Sequence, residues 1–265
     1  SMPKDSVIYT LRQIFLLYIC NMDKATFAYN PHISIDCVVF GFDGEVIRVL
    51  LIKRKQKDKE VFALPGDLLG LRESLDDAAS RILNELTGLK DIYLEQFESF
   101  GDLDRISNPI DIEWLNTVRQ HPEERVVTIA YNSLIIIDDF ELKPNSFAEQ
   151  VLWQPIDQKK QLAFDHNKIA NTGWAKLRDK IRHDPFVAFN LLPKKFTLRQ
   201  LQSLYEAIVG SELDKRNFRK RIQNKKFVSP IDEYEEGVAH KPARYYTFDE
   251  EIYKKEFEKG QWFLF

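Results

Sequence analysis

Between Lys215 and Lys226 the chain carries seven basic residues and no acidic one. Such a run suits the phosphates of a nucleic-acid backbone, with a solvated helix face as the plain alternative. Arg216 and Asn217 have side chains that read base edges, arginine by a bidentate bond to guanine and asparagine by one to adenine. Lys215, Arg219, Lys220 and Arg221 would hold phosphates, as would His240 and Lys241 further along. A second cluster, Asp102-Leu-Asp-Arg105, sets carboxylates beside a cation. Groups that accept and donate in fixed directions suit the hydroxyls of a sugar. An acidic surface turn is the competing reading.

The elements that must position these residues are legible from caps and periodicity. Asp214 is a good N-cap for the basic helix, on which Phe218 and Ile222, four apart, point inward. Before it runs Phe196-Thr-Leu-Arg-Gln-Leu-Gln-Ser-Leu-Tyr, a helix capped by Thr197 with Gln200 as capping-box partner and stopped by Gly210. Strands are expected next at Phe227–Tyr234 and Ala243–Phe248, with His240 and Lys241 in the loop between them. Helix, tight turn, basic helix and strand pair together predict a winged helix-turn-helix, the second helix entering the major groove.

Upstream, Ile33–Phe40 and Val46–Lys53 flank Asp43-Gly44 and read as a β-hairpin. Ser74 and Asp77 form a capping box for a helix that Gly88 ends. Leu64-Pro65-Gly66 closes a short extended run and is expected to lead into a loop. Further strands are expected at Leu94–Phe100, Val126–Ile137 and Val151–Pro155, with a loop and short helix within Ser107–Glu124. Helices are expected over residues 5–21, Asn167–His183 and Asp184–Leu191. The resulting division is 1–165 for a first domain, 166–193 for a helical linker and 194–265 for the winged helix.

Composition narrows the class. The chain has 265 residues, 44% hydrophobic and 30% charged, with a formal net charge of −3. Nucleic-acid binding must therefore come from local clustering rather than overall charge. Cys20 and Cys37 lack metal-like spacing and read as small core residues of a reducing compartment. The apolar run Ile14–Cys20 is far too short to span a membrane, and Asp5 and Arg12 interrupt any signal-peptide core. A cytoplasmic protein without membrane attachment is expected.

Leu64–Leu89 resembles the Nudix box, G-x5-E-x7-R-E-U-x-E-E-x-G-U, without insertion or deletion. Glu73, Arg81, Leu83, Glu85, Gly88 and Leu89 fall on matching positions. The resemblance implies a Nudix-like α/β/α sandwich domain, making the whole chain α+β. In that family three helix carboxylates at i, i+3 and i+4 hold Mg²⁺ or Mn²⁺ for pyrophosphate hydrolysis. Here those positions are Ile82, Glu85 and Leu86, and the box glycine is Asp67. No metal, no other cofactor and no catalytic residue are therefore expected. Glu73 and Arg81 should form an ion pair tying loop to helix. Glu85 either keeps a polar contact in the cleft or is solvated.

A Nudix cleft without its metal is still a concave, polar pocket and a default ligand site. Candidate effector contacts are Asp67, Glu73, Glu85, Asp102, Asp104 and Arg105, the last three lying near the cleft in the family. Trp114 and Trp153 are either an apolar wall or core. Over nearly its whole length the chain is similar to the Nudix-related transcriptional regulators, and most like their arabinose-utilisation branch. That resemblance implies a homodimer on a palindromic DNA operator, repression relieved by a small-molecule effector, and L-arabinose as that effector. ADP-ribose, sensed by other members, is the alternative. An active hydrolase of nucleoside diphosphate derivatives and a non-DNA module binding RNA or an acidic protein also stay open.

Overall fold

Leu64-Pro65-Gly66 leads not into the expected loop but into a strand. The structure, a computed structural model, describes residues 28–258 apart from 57–58, 120, 138–139, 158–159, 185 and 240. The helix expected over 5–21, with Cys20, lies outside the described residues. Seven strands form the first sheet: β1 (Tyr29–Phe42), β2 (Ile47–Arg54), β3 (Phe62–Ala63), β4 (Gly66–Gly70), β5 (Glu95–Phe100), β6 (Val127–Ile136) and β7 (Ala148–Pro155). The order is β3-β2-β1-β6-β5, with β4 also paired to β1 and β7 to β2. β1 runs parallel to β6 and antiparallel to β2 and β4. β4 escapes a sequence reading because glycines stand at both its ends and its interior does not alternate. Its partner supplies the order, with Asp36 opposite Gly66 and Ile35 opposite Asp67.

From Ile35 to Phe42, β1 is buried on both faces, which is why it reads as an almost unbroken apolar run. Helix α1 (Leu75–Thr87) covers one face. Ser74 accepts the backbone N–H of Asp77, and Gly88 ends the helix at φ 80°, its N–H donating to the Asn84 carbonyl. Ala78, Ala79, Ile82, Leu83 and Leu86 form its buried stripe. A short helix α2 (Pro109–Val118), capped by the Asn108 side chain, stands in the segment between β5 and β6. Helix α3 (His166–His183) covers the opposite face of the sheet, with Ile169, Leu177 and Ile181 buried. Its Trp174 ring lies 5.1 Å from that of Phe40 on β1. Helix, sheet and helix make the α/β/α sandwich.

The remaining elements are α4 (Phe186–Phe189), β8 (Phe196–Thr197), α5 (Leu198–Val209), α6 (Lys215–Gln223), β9 (Val228–Tyr234), β10 (Arg244–Phe248) and α7 (Glu250–Glu258). The strands form a small sheet in the order β8-β10-β9. Thr197 and Gln200 make both halves of the capping box, and Gly210 ends α5 at φ 78°. α7 is not among the elements expected from the sequence. Its Tyr253 is buried, stacks 5.9 Å from Phe186 and donates its hydroxyl to Asp184 at 2.7 Å. One apolar cluster runs from Val38 and Phe40 through Leu177 and Ile181 to Phe189, Leu201, Phe218 and Tyr253.

Candidate functional site

A cavity of about 190 Å³ opens where β1, β2, β4, α2 and the start of α3 meet. At its base is Asp36. A side chain on Gly66 would place its Cβ 1.9 Å from Asp36 Oδ1, so only glycine leaves room for this carboxylate. Thr128 Oγ1 donates to Asp36 Oδ2 at 2.7 Å, and His166 Nε2 lies 3.5 Å from Oδ1. His166 Nδ1 accepts the Leu64 N–H at 2.9 Å, which assigns the ring proton to Nε2. Burial pushes the His166 pKa below its ordinary value although Asp36 opposes it, so the ring is neutral near pH 7.

Arg105, a buried cation, makes paired bonds to Asp165 at 3.2 and 2.9 Å and sits 3.7 Å from Asp36. Arg54, 1% exposed, closes β2 and donates from Nη2 to Asp111 Oδ1 at 2.6 Å. Its guanidinium lies 4.4 Å from the Trp114 ring and 5.1 Å from that of Phe164. Asp111 Oδ2 also accepts the backbone N–H of Phe164, a residue held at φ 53°. Arg54 Nε and Nη1 and Trp114 Nε1 are buried without a hydrogen-bond partner among the described residues. Arg119, which ends α2, is half-buried. Burial lowers its pKa, opposed by the nearby charges of Asp67 and Asp36. Asp67 faces the same space, and burial raises its pKa against the pull of the Leu68 N–H, Arg81 and Arg119.

Of the candidate effector residues, the structure brings Asp67 and Arg105 into this one cavity. Asp102 and Asp104 line a neighbouring hollow that shares Arg105, where Asp102 pairs with Lys168. Glu73 and Glu85 are drawn away. Glu73 accepts Arg81 Nε at 2.8 Å and Nη2 at 2.7 Å, and Arg81 Nη1 reaches Glu85 at 3.1 Å. The Arg81 bonds, reinforced by the Gly70 N–H, hold the Glu73 pKa below the usual carboxylate value. The expected Glu73–Arg81 tie is therefore present, and neither glutamate lines the cavity. Trp114 is a wall of it; Trp153 packs instead against a second apolar cluster, formed by Ile35, Cys37 and Val39 of β1 and the buried stripe of α1. Ile82 and Leu86, two positions at which the resemblance implies metal ligands, are buried in that same cluster.

Sequence reasoning missed Asp36, Arg54, Arg119 and His166. The available signals were charged residues inside or at the end of apolar strands: Asp36 within Ile33–Phe40, and Arg54 closing Val49–Lys53. An ion embedded that way has a partner or a ligand.

The basic helix offers a different surface. On α6, Phe218 and Ile222 are buried, while Lys215, Arg216, Asn217, Arg219, Lys220 and Arg221 are exposed. Asp214 caps the helix by accepting the Asn217 N–H at 2.8 Å. Among the described residues, none of these basic side chains closes an ion pair within the molecule. Lys241 is exposed in the loop between β9 and β10; His240 lies outside the described residues. That wing is not basic overall. Glu233 pairs with Lys195, and Asp232, Glu235 and Glu236 flank the loop.

A model of the Nudix domain matches residues 30–171, and one of the NrtR DNA-binding winged helix domain matches residues 188–248. The chain is 30% identical over 224 residues to the ADPR responsive transcriptional repressor NtrR of Acinetobacter baylyi, covering 83% of this chain and 82% of that protein. This chain belongs to the NrtR-type Nudix regulators. An NrtR-type regulator of this kind pairs a Nudix effector domain with a DNA-binding winged helix, in that chain order. The fold agrees with Shewanella oneidensis NrtR crystallised with a 27mer DNA, at TM-score 0.57 and 23% identity, covering 83% of this chain and 94% of that one. It also agrees with a MutT/nudix family protein from Enterococcus faecalis, at TM-score 0.59 and 22% identity, over 94% and 99% of the two chains. Neither the matches nor the relatives point to arabinose. Among the described residues, no helix is long and apolar enough to cross a membrane.

Proposed function

We propose that this chain is a transcriptional repressor that docks α6 in the major groove of a palindromic operator as a homodimer, with operator affinity set by an effector in the Nudix-domain cavity. The carrying observation is the row of exposed cations on α6, without ion-pair partners among the described residues, beside the candidate base-reading residues Arg216 and Asn217. Residues 166–193 act as the helical link while α3 also forms a layer of the sandwich, since His166 lines the cavity and Arg178 further along α3 donates to the Val209 carbonyl at the end of α5, at 2.9 Å. An effector compatible with only one arrangement of the two domains weakens operator binding by the same factor that operator weakens effector binding.

ADP-ribose is the first effector reading, supported by the name of the Acinetobacter relative. A second hollow of about 430 Å³ adjoins the cavity through Arg105, Ile106 and Val126, giving a two-part ligand room. L-arabinose is the second reading, favoured by the size of the inner cavity, about 190 Å³, against the roughly 300–1,000 Å³ of drug-sized ligand sites. Hydrolysis is not proposed. Ile82 and Leu86 present hydrocarbon where a divalent cation needs oxygen, and the described residues hold no group of three or more His, Cys, Asp or Glu placed to bind a metal. Those residues do not fit the family's catalytic ion.

Fluorescence anisotropy on an operator selected from random DNA tests the reading, with and without saturating ADP-ribose or L-arabinose. A change in affinity with one of them is expected; equal affinities in all three conditions would refute effector control. Thermal shift identifies the ligand independently, because a compound at 100 times its Kd adds ~2.7 kcal/mol of apparent stability.

A further inference from the structure

We propose that Arg178 is a positioning residue for operator recognition: from α3 it holds the turn between α5 and α6, so that the sandwich sets the pose of the DNA-facing helix. The inference rests on the reading of α6 as the docking helix and names a residue that acts on it without touching DNA.

The turn is short, and α6 starts where it ends. α5 stops at Val209, Gly210 turns the chain at φ 78°, and Asp214 caps α6, whose second and third residues are Arg216 and Asn217. Any rocking of the turn therefore moves the candidate base-reading side chains directly. Two side chains of α5 brace it from within. Glu206 accepts the Leu213 N–H at 2.9 Å and a Gln202 side-chain N–H at 2.8 Å. Gln202 also donates to the Leu213 carbonyl at 3.1 Å. Both backbone groups of Leu213 are thus fixed to the helix before it.

The third brace comes from the sandwich. The last carbonyls of a helix lack partners within it and form the negative end of its dipole. α5 has no basic residue in its own last turn. Arg178 supplies one from α3, donating from Nη2 to the Val209 carbonyl at 2.9 Å. α3 is fastened to β5 on both sides of Arg178. Lys176 donates to the Phe97 carbonyl and pairs with Glu98, each at 2.8 Å, and Lys180 pairs with Glu95. A Cβ on Gly173 would lie 3.1 Å from the Phe97 ring, so helix and strand are in close contact. Arg178 therefore reaches the turn from a rigid support.

Without the guanidinium the turn samples other poses, of which DNA must select the one that fits. The apparent affinity falls with the competent fraction, a loss bounded by the worth of one charge-assisted hydrogen bond. Base reading needs the pose, whereas phosphate contacts carry no sequence information.

Fluorescence anisotropy of the full chain on a selected operator and on random-sequence DNA, at several salt concentrations, tests the assignment. The proteins are the parent, Arg178→Met, Arg178→Gln and Arg178→Lys. Methionine keeps an aliphatic stem in place, and glutamine is the second removal variant should methionine disturb folding. Either should weaken operator binding by about five- to tenfold, with random-sequence binding and the log–log salt slope nearly unchanged. Arg178→Lys, which keeps a cationic donor, should recover most of the operator affinity. A salt slope lower by about one would make Arg178 a phosphate contact, and equal losses on both DNAs would make it a stabilising tie; either result overturns the assignment. Operator binding unchanged in both removal variants overturns it too, while the DNA reading stands. If the parent selects no operator, the DNA reading and this inference fall together.

Discussion

In the Nudix domain Arg54, Arg81 and Arg105 each close on a carboxylate of the same chain, at 2.6, 2.7 and 2.9 Å. On α6 the cations Lys215, Arg216, Arg219, Lys220 and Arg221 close on none among the described residues and lie open to solvent. Charge therefore has two uses in one molecule. In the cavity it is spent on holding backbone and side chains rigid, leaving a few donors and acceptors with fixed directions. On α6 it is left available, which under the proposed function is for a partner whose phosphates supply the missing countercharge. Substitutions in the first region should register mainly as stability and those in the second mainly as DNA affinity.

Asp111→Ala gives the sharpest break. It strips the partner from a buried arginine and the acceptor from the Phe164 N–H, so a loss of ~3–5 kcal/mol in denaturant unfolding is expected. A loss below ~1 kcal/mol would mean that the cavity is not held by this pair. Next, Arg216→Ala should leave unfolding unchanged and remove ~1–3 kcal/mol of discrimination at one operator base pair. Uniform weakening on every sequence would reassign Arg216 to the phosphates.

The third test uses pH. The folded His166 pKa lies below its ordinary value because burial disfavours the imidazolium. The unfolded chain then binds the proton first, so the contribution is complete above about pH 6.5 and is lost as pH falls below it. The slope should reach at most ~1.4 kcal/mol per pH unit and flatten in His166→Gln, as read from urea unfolding between pH 5 and 8. An unchanged slope in the variant would place the acid sensitivity elsewhere. The smallest effect belongs to Lys241→Ala. Its acidic neighbours leave the wing little net attraction, so the log–log salt slope should fall by about one at most. A larger drop would give the wing a greater part than α6.

The two regions were also unequally legible. The winged helix could be read almost residue by residue, because Thr197, Gln200, Gly210 and Asp214 act through neighbours three or four positions away. Local chemistry leaves local marks. The same holds for Ser74, Asp77 and Gly88 around α1. The cavity is otherwise: Asp36, Arg54, Asp67, Trp114, Arg119 and His166 come from separate stretches and meet only through strand pairing and the docking of α2 and α3. The family box drew attention to Glu73 and Glu85, which Arg81 occupies, while the deepest carboxylate, Asp36, sits in an apolar strand that no motif marks. β4 and α7 went unseen for a related reason. Each is defined by what it packs on, β1 in one case and the Phe186–Phe227–Phe248 aromatics in the other.

The apolar seam that passes from Phe40 through Trp174 and Leu177 to Phe189 and Phe218 is continuous. Heat has no weak joint there at which to part sensor from reader. Calorimetry should record one endotherm in which both halves melt together, so that whatever tightens the Nudix end also raises the temperature at which the DNA end comes apart.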